Sequence, residues 1–99
     1  LIPVAFDVSL EALRDLDEIY VYIAEDSIDA ADRVENELLA LFEILAANPG
    51  IGHRRTDLTP RHVLFFPIYR YLVVYDPSHC PIRIVRVLSG YRDAARVLR

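Results

Sequence analysis

Residues 69–75 read Tyr69-Arg70-Tyr71-Leu72-Val73-Val74-Tyr75. β-branched and aromatic residues fill a pleated surface well, so this stretch predicts a strand. An apolar run precedes it at Val63 to Phe66. The turn-prone Asp76-Pro77-Ser78-His79 follows it, and a third apolar run covers Ile82 to Leu88. Three strand-length runs with short breaks predict an antiparallel meander centred on residues 69–75. Alternation along the central strand sets Tyr69, Tyr71, Val73 and Tyr75 against Arg70, Leu72 and Val74. In the last strand it sets Arg83, Val85 and Val87 against Ile82, Ile84, Arg86 and Leu88. Both faces are therefore largely apolar. An antiparallel sheet with one wet face alternates more cleanly, so either the sheet is covered on both sides or one face awaits a partner.

The N-terminal half supplies the cover. Val4 to Val8 suits a short strand, with Pro3 at its start. Ser9 can cap a helix running from Leu10 to about Glu25. On that helix Leu10, Leu13, Leu16, Ile19, Tyr20, Ile23 and Ala24 make one broad apolar face. Glu11, Asp15, Glu18 and Glu25 fall opposite, with Tyr22 in their midst. Asp26-Ser27 breaks the pattern, and Ser27 caps a second helix from about Ile28 to Ala47. Its stripe is Ala31, Val34, Leu38, Leu41 and Leu45, with Phe42 beside it, while Leu39 and Ile44 lie off the stripe. Asn48-Pro49-Gly50 ends it. The short link makes a helical hairpin, expected to lie across one face of the sheet. After a loop at residues 51–60, the meander and a short basic helix at 91–99 complete the chain. The fold class is α+β, a two-layer domain of order β-α-α-β-β-β with a short C-terminal helix.

Ninety-nine residues suit a single domain spanning 1–99, and 54% apolar residues are ample for one core. No run approaches the roughly 20 apolar residues of a membrane span. The lone Cys80 can form neither an internal disulfide nor a paired-cysteine metal site, so a reduced, cytoplasmic protein with no metal or other cofactor is expected. Charge is divided sharply. Residues 1–50 carry twelve acids and two arginines; residues 51–99 carry nine arginines and three aspartates, giving the net −4. None of the eleven basic residues is lysine. Arginine suits carboxylate and phosphate contacts but does not act as a proton base near neutrality.

The segments Asp15-Leu16-Asp17-Glu18-Ile19-Tyr20 through Tyr22-Ile23-Ala24, Ala30-Ala31-Asp32-Arg33, Asn48-Pro49-Gly50-Ile51-Gly52, Phe66-Pro67-Ile68-Tyr69-Arg70-Tyr71 and Arg86-Val87-Leu88-Ser89-Gly90-Tyr91-Arg92-Asp93 carry a family likeness. In their order and spacing they resemble the plasmid-stabilisation, ParE-like branch of the RelE/ParE superfamily, the toxins of bacterial type II toxin–antitoxin modules. Where that family often has His before the last glycine, this chain has Ser89. The resemblance implies a growth-inhibiting toxin neutralised by a ParD-like antitoxin, itself DNA-binding at its N-terminal region and disordered in its tail. It also implies DNA gyrase as the target. The superfamily's other branch cleaves mRNA on the ribosome, and a non-toxic interaction module on the same fold stays open.

The residues favour a binding surface over an enzyme. Cutting RNA through its 2′-OH needs a base, an acid and cations around the phosphorane. Cations and a possible acid, Tyr91, are present. There is no lysine, however, and His53, His62 and His79 fall in loops or at strand edges, so no residue is assigned a catalytic role. Were the chain an enzyme, it would be an mRNA endoribonuclease. The candidates for target or antitoxin binding are Arg61, Arg70, Arg83, Arg86, Tyr91 and Arg92. Tyr22, Leu39 and Ile44 are the helical candidates for antitoxin contact. Arg70 is placed on the central strand, paired with Asp76 or a helix carboxylate or else facing the target; Arg92 and Asp93 could pair locally. Direct nucleic-acid binding is not expected, because the acidic hairpin repels phosphate. Any such contact would be confined to the sheet and C-terminus.

Overall fold

A computed structural model describes residues 6–98, without the side chains of Tyr91 and Arg92. The elements are β1 (Asp7–Val8), α1 (Leu10–Ala24), α2 (Ile28–Ala47), β2 (Leu64–Ile68), β3 (Tyr71–Asp76), β4 (Arg83–Leu88) and α3 (Tyr91–Val97). The expected strand start at Val4 and the predicted end of the last helix at Arg99 lie outside the described residues. The α+β order is as the sequence predicts. Among the described residues no helix is long and apolar enough to cross a membrane.

The sheet runs β1-β4-β3-β2. β2, β3 and β4 form the antiparallel meander, and β1 adds on in parallel beside β4. Two backbone bonds, Asp7 N–H to Ile82 O at 2.8 Å and Ser9 N–H to Ile84 O at 2.9 Å, hold this short strand. Ser9 then ends the strand and starts the helix. Its hydroxyl accepts from Ala12 N–H at 3.0 Å and donates to Val85 O at 2.7 Å, so one side chain caps α1 and anchors it to β4. Ser27 caps α2 through Ala30 N–H at 3.1 Å. Replacing Ser9 with Ala is expected to cost about 1 kcal/mol, lowering the melting temperature by roughly 4–8 °C in a domain of this size. Thermal melting of the variant checks this.

Both faces of the sheet are covered. The hairpin packs on one, where Leu38, Leu41, Phe42 and Leu45 of α2 meet Tyr71, Val73, Tyr75, Ile84 and Val87. Phe6 meets Phe42 edge to face at 5.5 Å. On the other face Leu72, Val74 and Leu88 are buried against Val63, Phe65, and Ala94 and Leu98 at the C-terminal helix. Each fully buried aliphatic or Phe side chain contributes about 1.5–3 kcal/mol, which makes α3 and the loop before β2 structural parts of the domain. The two apolar faces of β3 therefore reflect a sheet covered on both sides.

Three expectations need correction. Strict alternation put Val87 opposite Ile84, yet both lie in the hairpin-side core, and Val85 and Leu88 pack on the other. The register between β3 and β4 shifts between Val74 and Tyr75, leaving Val85 without a Cα partner. One extra residue in a strand reverses the phase of everything beyond it. On α1 the buried stripe is Ala12, Leu16, Ile19 and Ile23, whereas Leu10 and Leu13 are 59% and 51% exposed. The helix is rotated so that Asp15, expected to face solvent, reaches the sheet. Finally, Tyr69 and Arg70 are not in the central strand. Ile68 pairs with Tyr71, so these two residues form the β2–β3 turn.

Candidate functional site

The tight β2–β3 turn places Arg70. A two-residue hairpin connection needs a left-handed residue to match the strand twist, and Tyr69 supplies it at φ 55°. For a bulky side chain this conformation costs on the order of 1–3 kcal/mol. The Tyr69 hydroxyl donates to Glu37 Oε1 on α2 at 2.6 Å, tying the strained turn to the hairpin. That carboxylate raises the phenol's pKa.

Arg70 stands between two clefts. The first, about 460 Å³, opens between α1, the end of β4 and α3; its lining includes Asp15, Glu18, Arg86, Ser89, Asp93 and Arg96. The second, about 510 Å³, lies along the α1–α2 connection, against Ile23, Ala30 and Val34. Tyr22, Arg70 and Tyr71 line both. Tyr22 is 65% exposed, so a large aromatic and a cation sit together on the ridge that separates the clefts.

The charges of the first cleft are mostly spoken for. Arg86 Nε and Nη2 donate to the two oxygens of Asp15 at 2.8 and 2.9 Å, in a bidentate pair that is largely shielded from solvent. Asp15 also accepts from Val87 N–H at 2.9 Å. The hydrogen bonds that Arg86 donates to Asp15, with Glu11 and Glu18 nearby, raise the pKa of the guanidinium. Arg96 pairs with Asp93 one helical turn away at 3.1 Å. Arg70 makes no ion pair among the described residues, neither with Asp76 nor with a helix carboxylate. Asp76 instead accepts from Ser78, which holds its carboxyl below the usual range.

The structure thus gathers Tyr22, Arg70 and Arg86 at one place and leaves the other candidates elsewhere. Arg83 pairs with Asp7 at 2.8 Å, bracing β1 against β4. Arg61 is exposed on the loop before β2, and Leu39 and Ile44 are exposed on α2; none of these lines either cleft. The side chains of Tyr91 and Arg92 lie outside the described residues, and Asp93 pairs with Arg96. Sequence reasoning missed Asp15, Glu18, Ser89 and Arg96 as cleft residues. For Asp15 there was a signal: it lies one helical turn from both Glu11 and Glu18, on the acidic stripe that meets the arginines of β4. No histidine lines either cleft.

A family model described as the ParE toxin of the type II toxin-antitoxin system parDE matches residues 6–94. The chain belongs to the ParE toxin family. A curated relative in Sinorhizobium fredii (strain NBRC 101917 / NGR234), named "Putative toxin Y4kP", is 32% identical over 90 residues, covering 91% of this chain and 92% of that one. The fold of this ParE-family chain also matches a solved structure titled "Chromosomal ParDE TA system from P. aeruginosa", at a TM-score of 0.69 and 21% identity, over 87% of this chain and 95% of the other. The ParE assignment accounts for the sequence likeness noted above. It makes the chain a toxin of a ParDE-type toxin–antitoxin system.

Proposed function

We propose that this toxin arrests growth by binding and poisoning DNA gyrase, and that a ParD-like antitoxin neutralises it by ordering a disordered tail on the toxin. The observation that carries the first part is the composition of the clefts. Among the described residues they contain no lysine or histidine, and two of the three arginines of the first cleft are held by Asp15 and Asp93. Attack by a 2′-OH needs a base, and the candidate bases in these walls among the described residues are carboxylates, of which Asp15 and Asp93 are already held by arginines. Poisoning by binding needs only a shaped surface. Induced alone, the toxin is expected to stop growth, with loss of gyrase supercoiling activity and an SOS response, and antitoxin co-expression is expected to restore growth. Codon-phased mRNA cuts by primer extension with supercoiling intact would move the toxin to the ribosome-dependent nuclease class. Normal growth at confirmed soluble expression would leave a non-toxic interaction module.

For the antitoxin, the second cleft and its ridge offer what a folding tail requires: apolar wall, the exposed ring of Tyr22, and the unpaired Arg70. Exposed Leu39 and Ile44 extend the apolar surface of the hairpin. Arg70→Ala is expected to weaken the complex by about 1–3 kcal/mol, as for one charged hydrogen bond lost, without lowering the melting temperature of the free toxin. Calorimetric titration with antitoxin tests this. Unchanged affinity would remove Arg70 from the interface.

A further inference from the structure

The loop before β2 carries a second cationic surface that neither cleft uses. His53, Arg54, Arg61 and His62 are all exposed. Arg54 Nη1 lies 3.2 Å from His62 Nδ1, so the two ends of the loop meet. This loop is a folded unit. His53 and Phe65 exchange two backbone hydrogen bonds, at 2.9 and 2.8 Å, which adds the start of the loop to the edge of β2. Thr59 is buried, donates to Leu98 O at 2.8 Å and accepts from Arg61 N–H at 3.2 Å. Leu58 packs into the core under α3. Arg54 and Arg61 therefore project from a fixed frame and make no ion pair among the described residues, while Arg55 is held by Asp57 at 2.6 Å.

We infer that this platform binds the phosphate backbone of duplex DNA without reading its sequence. Arginine forks match phosphate oxygens, and phosphate contacts dominate sequence-independent binding. An apolar or amphipathic peptide would need pockets, and both clefts lie elsewhere, with no residue from 53–62 in their walls. Single-stranded nucleic acid is held by stacking on aromatic rings, and residues 53–62 contain no Phe, Tyr or Trp. The acidic half argues against DNA only if it lies near. The hairpin packs on the opposite face of the sheet from Leu58 and α3. The one carboxylate within residues 53–62, Asp57, is held by Arg55.

The test is fluorescence anisotropy of a labelled duplex of roughly 20 base pairs with the purified chain, titrated between about 50 and 200 mM salt. Weak binding that falls with salt is expected. Arg54→Glu/Arg61→Glu should weaken it at least tenfold and flatten the log–log salt slope by about two, one unit per phosphate contact removed. Arg54→Gln/Arg61→Gln, gentler to the fold, should show the same direction. Arg14→Glu/Arg33→Glu makes the same change in net charge on the hairpin and should leave binding intact. No duplex binding by the parent chain, an equal loss from the hairpin variant, or tighter binding to single strands of the same length would each overturn the assignment. The readout is independent of gyrase, so failure of the gyrase reading does not affect it.

Discussion

Asp15→Ala should lower the stability of the toxin by about 3 kcal/mol, the low end of the cost of breaking a shielded ion pair. In a domain of this size that is a fall in melting temperature of roughly 12–24 °C. The low end applies because Arg86 and Asp15 keep 24% and 11% of their side-chain surface exposed, and water recovers part of the loss. Two deficits add. The Arg86 guanidinium loses both oxygens that hold it, and Val87 N–H loses its acceptor. The bond joins residues 71 apart in the chain, so it fixes the rotation of α1 on β4 and with it the wall of the first cleft. Asp15→Asn keeps one acceptor oxygen and should lose about half as much. Arg86→Leu combined with Asp15→Leu should recover much of the loss, because removing both charges leaves neither unpaired. A double-mutant cycle by denaturant unfolding separates these cases. A cost below about 1 kcal/mol for Asp15→Ala would mean that the pair behaves as an exposed surface bridge. It follows that Arg86, a sequence candidate for partner binding, cannot be probed by truncation without disturbing the fold, whereas Arg70 can.

The helical hairpin was legible because its signals are local. Ser9 and Ser27 cap where the apolar period begins, and the α2 stripe Ala31, Val34, Leu38, Leu41 and Leu45, with Phe42 beside it, is buried as its spacing predicts, Val34 only in part. What the sequence hid depends on partners far along the chain. The bulge at Val85 leaves no composition mark, since all the residues around it favour strands, yet it reverses the phase of Val87 and Leu88. The turn at Tyr69-Arg70 was invisible because it lacks the Gly or Asn that usually marks a left-handed position; its strain is tolerated while Glu37 holds the phenol. The rotation of α1, which exposes Leu10 and Leu13, is set by Asp15 meeting Arg86 and Val87, a contact that no window on one helix contains. The candidate site inherits these limits. Tyr22 was flagged correctly as an aromatic off the core, but its pairing with Arg70 on one ridge required the turn, and the neutralisation of Arg86 required the helix rotation.

Gly52→Ala should be the most damaging single-methyl change in the loop after α2, costing about 1–3 kcal/mol as overpacking does, while Gly50→Ala, two residues away, should be neutral or slightly stabilising. A Cβ on Gly52 would lie 2.6 Å from the Tyr75 hydroxyl, 2.8 Å from its Cε1 and 3.0 Å from Leu64 Cβ, whereas a Cβ on Gly50 meets nothing within 4 Å. Relief by movement is blocked on the tyrosine side. Tyr75 is fully buried in the central strand, and its hydroxyl donates to Pro49 O at 2.8 Å and accepts from Gly52 N–H at 2.9 Å. The ring thus clamps the helix exit to the sheet. Tyr75→Phe should cost about 1–3 kcal/mol by stranding the two backbone groups. Adding it to Gly52→Ala should cost less than the sum, because the closest clash goes with the hydroxyl while the ring-edge clash remains. The pH dependence gives a separate signature. Burial pushes the Tyr75 phenol above its ordinary value near 10, so the unfolded chain releases this proton first, and stability falls as pH rises through that value toward the folded one. Tyr20 and Tyr69, raised by Asp32 and Glu37, act in the same direction and remain in the variant. Tyr75→Phe should therefore lose part of the alkaline decline rather than all of it. Unfolding measured from neutral pH to above pH ~10 in parent and variant gives the comparison, and identical slopes in the two would mean that the phenol is free to ionise in the folded chain and does not clamp the loop.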